Sequence, residues 1–203
     1  MIKNVVFDLG RVMVQFESEY MVDKYAENAE DAKMLETIIT DRNCWDKLDL
    51  GTITDEEVVA YFKERLPERL WKTMEEIYYN WVYNIPEIEG MSDVVKMVKN
   101  EYGKHIFLLS NISTYFAEHA HEVPCTLLFE KCIYSAVYGV VKPDRAIFEI
   151  LCEECGILPE ETLFIDDSPK NIEGAQAFGI TGYLFDGDVG KLRAYLKEIL
   201  IAR

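Results

Sequence analysis

From residue 91 onward, short apolar runs alternate with longer stretches whose apolar residues recur at helical spacing. The apolar runs predict strands at KHIFLLS (104–110), KCIYSAV (131–137), TLFIDDS (162–168) and TGYLF (181–185). Strands that alternate with helices are joined by crossover connections, which favour a mostly parallel sheet with helices on both faces. We expect the run KNVVF (3–7) to belong to the same sheet.

The helical stretches carry their own start and stop signals. SDVVKMVKNEYG is predicted to begin with Ser92 as N-cap and to end before Gly103. SPKNIEGAQAFG is predicted to begin with Ser168 as N-cap and with Pro169 at the first helical position. Each helix is therefore bounded in the sequence, as an alternating fold requires.

Residues 14–90 interrupt the alternation, because they contain no convincing strand. Thr54 and Glu57 form a capping-box pattern at the start of one predicted helix. Three stretches have helical apolar spacing: EYMVDKYAENAEDAKMLETIIT (19–40), TDEEVVAYFKERL (54–66) and LWKTMEEIYYNWVYN (70–84).

These observations predict an α/β fold in which a doubly wound parallel-sheet core, residues 1–13 and 91–203, carries an inserted all-helical domain, residues 14–90. All three tryptophans lie in the insertion, where we expect them to form its core. Clefts between domains are common ligand sites, so the boundary between core and insertion is a candidate binding region.

The composition narrows the choice of partners. The net charge of −16 argues against a nucleic-acid partner, since phosphate backbones select clustered Lys and Arg. No apolar stretch reaches the roughly 18 residues of a membrane span, and Asp8 interrupts the first apolar run before a secretory segment could form. The five scattered cysteines suit a reducing compartment, so we expect a cytoplasmic protein. The oligomeric state cannot be inferred from the sequence.

Polar residues follow the predicted strands where each strand ends. They are Asp8, Ser110, Asn111, Lys142, Asp166 and Asp167. Ligands of open parallel sheets bind beyond the carboxyl ends of the strands, so these residues are expected to share one edge. Clustered carboxylates repel one another unless a hard divalent cation such as Mg²⁺ lies between them. A cation, an ammonium and a hydroxyl form a site for a dianion such as phosphate, and a carboxylate aimed at phosphorus can form an aspartyl-phosphate.

Four segments resemble the four motifs of the haloacid dehalogenase-like (HAD) hydrolase superfamily. They are VVFDLGRV, LLSNIS, VVKPDRAIF and FIDDSPKNIEGAQAFGI, which occur in the same order between residues 5 and 180. WDKLDLGTITDEE resembles a segment of the cap in the helical-cap branch of that superfamily. Within this branch the chain is similar to sugar phosphatases of the α-D-glucose-1-phosphatase type and to the phosphatase domain of epoxide hydrolases. The resemblance implies a Rossmann-like core with a helical cap, and a small phosphorylated metabolite as substrate.

The resemblance also implies a nucleophile and a metal site. Asp8 would be the nucleophile and a ligand of Mg²⁺, and Gly10 would offer its backbone carbonyl to the metal. Asp167 matches the metal-binding acid of the fourth motif, with Asp166 beside it as a supporting residue or a second candidate ligand. The expected enzyme is a phosphatase that depends on magnesium.

The remaining motif residues would bind the phosphoryl group. Ser110 and the backbone at Asn111 would hold its oxygens, and Lys142 would neutralise charge between Asp8 and the phosphate. Asn171 would orient a metal-bound water or ligand.

Gly10 departs from the pattern of the superfamily. Most of its phosphatases have Asp two residues after the nucleophile, where it acts as general acid and base. Such help is typically worth about 10²–10⁴-fold in rate. Three consequences stay open: leaving groups that need little protonation, a proton supplied by a cap residue, substrate group or water, or binding of a phosphorylated ligand or a partner without turnover.

We favour a phosphatase of small phosphomonoesters, with sugar phosphates as the expected class, because the other motif positions are filled. The alternatives are a phosphotransferase or mutase with the same intermediate, and a non-catalytic binding protein. A dehalogenase is disfavoured, since Asp166 and Asp167 would repel a carboxylate substrate. Arg11, Trp45 and the segment 48–52 are the candidates for specificity.

Overall fold

A five-stranded parallel sheet, in the order β3-β2-β1-β4-β5, forms the centre of the computed structural model, which describes residues 1–201. The strands are β1 (Asn4–Phe7), β2 (His105–Ser110), β3 (Lys131–Tyr134), β4 (Thr162–Asp166) and β5 (Thr181–Leu184). β1 pairs with β2 on one side and β4 on the other, with Phe7 opposite Leu108 and Ile165. The N-terminal run therefore supplies the central strand, and burial on both faces explains why Val5, Val6 and Phe7 are consecutive apolar residues.

Residues 14–90, called the helical insertion below, contain five α-helices. These are α1 (Ser18–Val22), α2 (Ala29–Ile39), α3 (Arg42–Asp49), α4 (Asp55–Lys63) and α5 (Trp71–Asn80), with 3₁₀ turns at Glu68–Leu70 and Trp81–Tyr83. The capping box of Thr54 and Glu57 at the start of α4 is confirmed.

The prediction of one helix over residues 19–40 was wrong, and α3 was not predicted. Asn28 is the N-cap of α2 and accepts hydrogen bonds from two backbone amides, and Asp41 does the same for one amide at the start of α3. Short polar side chains compete for backbone amides in this way, so they divide a run that has continuous apolar spacing.

The other helices cover both faces of the sheet, which confirms the doubly wound α/β class. They are α6 (Met91–Asn100), α7 (Thr114–His119), α8 (Ser135–Tyr138), α9 (Arg145–Cys155), α10 (Pro169–Phe178) and α11 (Val189–Ile201), with 3₁₀ turns at Ala120–Glu122, Pro124–Leu128 and Pro159–Glu161. The buried residues of α9 and α10 pack on one face and those of α6 and α11 on the other. No helix within residues 1–201 has both the length and the apolar content that crossing a bilayer requires.

Two hydrophobic clusters lie on opposite faces of the sheet. Val6 belongs to the cluster under α9 and α10, whereas Val5 and Phe7 belong to the other one. The second cluster continues without a break into the helical insertion, where it includes Trp45 and Trp81. The insertion therefore shares its apolar core with one face of the sheet, and its division from the core as a separate domain stays a prediction.

Three local predictions need correction. The third strand ends at Tyr134 and the chain turns into α8, where the Ser135 hydroxyl accepts a hydrogen bond from the backbone amide of Ile112 at 2.9 Å. Lys142 consequently lies in the loop after α8 and not directly after a strand. Helix α6 begins at Met91.

The N-cap positions also differ from the prediction. Gly90, with φ of 85°, is the N-cap of α6, and the Ser92 hydroxyl instead donates to Glu87 at 2.6 Å. Ser168 is the N-cap of α10 by position, but its side chain makes no capping bond. Pro169 occupies the first turn of α10, as predicted.

Candidate active site

The carboxyl ends of the central strands bring the polar residues of the first and fourth motifs together. Asp8 follows β1, and its backbone amide donates to Ile165 at 2.9 Å, so the sheet ladder holds Asp8 beside the end of β4. Ser110 and Asp166 are the last residues of β2 and β4. All three side chains are buried, at the edge where parallel sheets bind ligands.

Lys142 is the centre of this group. Its Nζ donates to Asp8 Oδ1 at 2.7 Å, to Asp166 Oδ2 at 2.7 Å and to the Leu109 carbonyl at 3.1 Å. These three bonds use all the protons of the ammonium, and its side chain is only 1% exposed. Lys142, a buried lysine of the loop after α8, therefore contacts the predicted nucleophile Asp8.

The charges in this cluster do not balance. Burial raises the pKa of Asp8; Lys142 opposes this effect and the charge of Asp166 reinforces it. Burial lowers the pKa of Lys142, but the charges and hydrogen bonds of Asp8 and Asp166 outweigh burial, so the net shift is upward and the ammonium stays protonated. One ammonium serves two carboxylates, and a further positive charge would compensate the excess.

Two asparagines fix the members of the cluster. The Asn111 side chain accepts the backbone amide of Lys142 at 2.7 Å and donates to its carbonyl at 3.0 Å. Asn171 was expected to orient a metal-bound water or ligand, but its amide donates to both oxygens of Asp166 at 3.1 Å. Both asparagines therefore position charged residues.

Three carboxylates form a group that could hold a metal ion. Asp8, Asp166 and Asp167 each offer an oxygen within 4.8 Å of the others. The oxygens of Asp166 also accept hydrogen bonds from Lys142, Asn171 and the Ser168 amide. Both oxygens of this carboxylate are therefore already hydrogen-bonded within the protein. Burial, followed by the charge of Asp166, raises the pKa of Asp167. An all-oxygen donor set of this kind suits a hard cation such as Mg²⁺.

The turn after Asp8 has an unusual distribution of side chains. Gly10 does not adopt a left-handed backbone, and a Cβ there would lie 3.6 Å from Phe16, an ordinary contact. Arg11, by contrast, has φ of 58°, a region that favours glycine. Its guanidinium lies 3.3 Å from Glu17, and Arg11 lines an adjoining groove with Asp167. The missing side chain at Gly10 is therefore not a requirement of the backbone.

A cavity of about 200 Å³ lies between this sheet edge and the helical insertion. Asp8, Gly10, Ser110, Asn111, Lys142 and Asn171 line it from the core. Its aromatic wall consists of Phe16, Trp45, Trp81 and Phe116. Trp81 stacks on Phe116 with ring centroids 5.7 Å apart and meets Trp45 edge to face. Trp45 thus lines the cavity and also belongs to the apolar core, while Asp167 and Arg11 lie in the adjoining groove.

Two charged residues of the insertion, Arg42 and Asp49, line the cavity and were not predicted. They are the first and last residues of α3. Asp49 falls within the segment 48–52, which the sequence marked only as a place for specificity. Burial raises the pKa of Asp49 to about 6. Asp49 lies within the segment that resembles the family's cap, but that resemblance gave it no role, because its place at the cavity depends on how α3 packs against the core.

Comparison with known proteins agrees with the fold. A family model described as haloacid dehalogenase-like hydrolase matches residues 2–179. A D-ribitol-5-phosphate phosphatase of Bacteroides thetaiotaomicron is 26% identical over 190 residues, which cover 88% of this chain and 89% of the relative.

Two solved structures have the same fold. A HAD-like family hydrolase from Porphyromonas gingivalis has a TM-score of 0.73 at 24% identity, covering 100% of both chains. A HAD family enzyme from Bacteroides thetaiotaomicron, solved with magnesium and inorganic phosphate, has a TM-score of 0.73 at 23% identity, covering 95% of this chain and 99% of that one. Since the family model spans most of the sequence and all four motifs, the chain belongs to the haloacid dehalogenase-like hydrolase family.

Proposed function

We propose that this hydrolase is a magnesium-dependent phosphatase of small phosphomonoesters, with sugar or polyol phosphates as its substrate class. The observation that carries the proposal is the buried Asp8–Lys142–Asp166 cluster, which lies at a cavity and beside a group of acids that could hold a metal ion. A family relative is a D-ribitol-5-phosphate phosphatase, which supports the same chemistry.

In this proposal, Asp8 attacks the phosphorus atom of the substrate. Lys142 fixes Oδ1 and the orientation of the carboxylate, and the other oxygen forms the bond to phosphorus. The hydroxyl group of Ser110, at the end of β2, donates a hydrogen bond to one phosphoryl oxygen, and the backbone amide of Asn111 donates a hydrogen bond to another. Water then attacks the aspartyl-phosphate, which releases inorganic phosphate and restores Asp8.

Asp8, the carbonyl of Gly10 and Asp167 are the residues proposed to hold Mg²⁺. When bound, the ion would supply positive charge to the phosphoryl oxygens. Asp166 is better suited to holding Lys142, because both of its oxygens already accept hydrogen bonds from the protein. This assignment leaves Asp167, on the groove side, as the acid available to the metal.

The size and lining of the cavity support a small substrate. Its volume of about 200 Å³ lies below the range of about 300–1,000 Å³ that is usual for drug-sized ligands. Carbon–hydrogen faces of a short polyol can pack against Trp45 and Trp81, while Arg42 offers a charged donor to its hydroxyls.

The test is phosphate release from a panel of phosphomonoesters that includes ribitol 5-phosphate, with and without Mg²⁺. We expect release by the wild type that requires Mg²⁺ and is lost in Asp8→Asn, whose side chain has nearly the same shape. Glu118→Gln, a matched loss of charge on α7, is the control and should retain activity. Transfer to an added alcohol in preference to water would indicate a phosphotransferase. Metal binding without release from any ester would indicate a binding protein and refute the proposal.

A further inference from the structure

Asp49 lies where the reaction lacks a proton donor. The position two residues after Asp8 is Gly10, which has no side chain to protonate a leaving group. Within residues 1–201, the cavity is lined by two carboxyl residues, Asp8 and Asp49. Asp8 is the proposed nucleophile, so Asp49 is the remaining acid of the cavity.

We propose that Asp49, from the helical insertion, is the catalytic residue that protonates the departing oxygen and afterwards accepts a proton from the attacking water. This inference rests on the proposed phosphatase function. It moves the acid and base of the reaction from the turn after β1 to the end of α3.

Backbone contacts hold Asp49 against the core. Its carbonyl accepts a hydrogen bond from the Ser135 hydroxyl at 2.6 Å, and the same hydroxyl accepts the amide of Ile112 at 2.9 Å. Ser135 is fully buried, and Ile112 lies two residues after Ser110. One buried serine therefore connects the end of α3 to the loop proposed to bind the phosphoryl group.

Gly51 brings the chain after Asp49 close to α8. It has φ of 65°, and a Cβ at this position would lie 2.5 Å from the carbonyl oxygen of Ala136. This approach needs glycine both for the backbone conformation and for the space. The backbone that carries the Asp49 side chain is therefore held against α8 by two neighbouring contacts.

The surroundings of Asp49 are compatible with carrying a proton. Burial raises the pKa of its carboxyl group to about 6, and the charge of Asp46 on the same helix acts in the same direction. Arg42 on α3 and Lys142 across the cavity act in the opposite direction. Asp49, Lys142 and Asp8 line the same cavity. An acid that titrates near neutral pH is suited to both giving and accepting a proton.

The proposed steps balance. Asp8 forms a bond to phosphorus as the bond from phosphorus to the leaving oxygen breaks, and that oxygen takes the proton of the Asp49 carboxylic acid. The products are a free alcohol, an aspartyl-phosphate and an Asp49 carboxylate. Water then attacks phosphorus from the side that the alcohol has left, Asp49 takes one of its protons, and Asp8 departs as a carboxylate with inorganic phosphate released. One acid on the leaving-group side thus serves both steps.

The experiment compares two esters. The leaving group of ribitol 5-phosphate is an alkoxide that needs a proton, whereas p-nitrophenyl phosphate releases a stable phenolate that needs none. We expect Asp49→Asn to lower kcat/KM for ribitol 5-phosphate by about 100-fold or more, in line with the usual worth of general acid catalysis. The same variant should lower kcat/KM for p-nitrophenyl phosphate by less than about tenfold, because kcat/KM reports formation of the aspartyl-phosphate and this leaving group needs no proton. Hydrolysis of the aspartyl-phosphate is common to both esters, so loss of the base should lower kcat for both. Asp23→Asn, the same change at an exposed position at the end of α1, should retain the wild-type ratio of the two rates.

Introducing an acid at residue 10 tests whether Asp49→Asn loses activity because a proton donor is missing or because the structure is disturbed. A Cβ at Gly10 meets only ordinary contacts, so Gly10→Asp should be tolerated. We expect the double variant Gly10→Asp/Asp49→Asn to release phosphate from ribitol 5-phosphate at least about tenfold faster than Asp49→Asn alone. Equal losses of kcat/KM with both esters and no rescue would overturn the role of Asp49. A wild type that releases phosphate from neither ester would instead refute the proposed function itself.

Discussion

The cavity has two walls that are held in different ways. The sheet wall consists of Asp8, Ser110, Asn111 and Lys142, with Asp166 behind them, and the insertion wall consists of Phe16, Arg42, Trp45, Asp49 and Trp81. In the sheet wall, the Lys142 ammonium bonds to Asp8 and Asp166 at 2.7 Å, and the Asn111 side chain bonds to the Lys142 backbone at 2.7 Å and 3.0 Å. In the insertion wall, aromatic rings pack edge to face, and the serine contact at Asp49 involves only its backbone.

This difference predicts that the two walls differ in how much substitution they tolerate. A buried network of charges tolerates little change, because each unpaired member is costly in a low-dielectric interior. Aromatic packing has no such requirement and tolerates substitutions of similar volume. We therefore expect the sheet wall to determine whether phosphoryl chemistry occurs, and the insertion wall to determine which leaving group is accepted.

The largest effect is expected where the charge network loses its cation. Lys142→Ala leaves Asp8 and Asp166 without their shared partner, and both carboxylates are buried. Removal of one member of a buried ion pair costs about 3–5 kcal/mol. We expect a loss of this size in the free energy of unfolding, measured in urea, together with loss of phosphate release.

Two comparisons test this interpretation. Lys191→Ala removes an exposed lysine that pairs with Asp186 at 2.7 Å, and it should leave stability and activity unchanged. Mg²⁺ should raise the melting temperature of Lys142→Ala more than that of the wild type, because a cation can replace part of the missing charge. An equal effect of Mg²⁺ on both proteins would contradict a metal site beside this network.

In the insertion wall, Trp81→Ala is the corresponding substitution. The ring of Trp81 stacks on Phe116 and contacts Phe16 and Trp45 with centroids 5.6 Å and 5.7 Å away. Truncation of such a buried ring typically costs about 3–5 kcal/mol. Unlike Lys142→Ala, it should raise KM for ribitol 5-phosphate more than it lowers kcat, as measured in steady-state assays.

Trp71→Ala is the matched control in the same insertion. Trp71 is 39% exposed and lies away from the cavity, so its truncation should cost less stability and leave KM unchanged. A larger effect of Trp81→Ala on kcat than on KM would contradict the proposal that the insertion wall determines substrate recognition and the sheet wall the chemistry.

The sheet wall could be predicted from the sequence for a physical reason. Parallel strands deliver the residues that follow them to one edge, so Asp8, Ser110 and Asp166 needed only the strand pattern. The contacts within that wall were less accessible. Lys142 reaches Asp8 from a loop beyond an unpredicted helix, and Asn171 bonds to Asp166, because side-chain partners depend on packing.

The insertion wall was largely hidden in the sequence. Trp45 was marked as a specificity candidate, but its aromatic neighbours were assigned only to the core of the insertion. Asp49 ends a helix whose start depends on the N-cap at Asp41, and it reaches the cavity only because Gly51 lets the chain approach α8. Such tertiary contacts leave no periodic signal in the sequence. The wall that needed a structure to be recognised is the one we expect to govern the leaving group.

A smaller effect should follow from disturbing the contact between the two walls at Gly51. Gly51→Ala faces the carbonyl of Ala136 at 2.5 Å, whereas Gly156 has the same φ of 65° and nothing within 4 Å. Both substitutions lose about 1 kcal/mol to the left-handed backbone. Gly51→Ala should lose about 1–3 kcal/mol more through overpacking.

The rate with ribitol 5-phosphate should follow the same order. Gly51→Ala displaces the end of α3, so its kcat/KM for this ester should fall more than its kcat/KM for p-nitrophenyl phosphate. Gly156→Ala should leave both rates unchanged, since it lies at the end of α9. Equal stability and equal rates in the two variants would mean that α3 is not held against α8.

The smallest expected effect has the opposite sign, since Asp49→Asn should stabilise the protein at high pH. Burial raises the pKa of Asp49 from 3.8 to about 6 in the folded chain. The folded state therefore binds this proton more tightly, and its stabilising contribution is present below about pH 3.8 and lost as pH rises through about 6. Asparagine does not ionise, so the stability of Asp49→Asn relative to wild type should increase by about 1 kcal/mol between about pH 5 and about pH 8.

Urea unfolding at the two pH values measures this change, with Asp23→Asn as the exposed control that should follow the wild type. A constant difference between Asp49→Asn and wild type would mean that Asp49 is hydrated and ionised like a surface acid. An increase would show that the folded chain carries a carboxyl group that weakens it at the pH of catalysis. A residue of that kind is retained for its chemistry and not for stability, and the wall that is held mainly by packing would then also contain a reacting group.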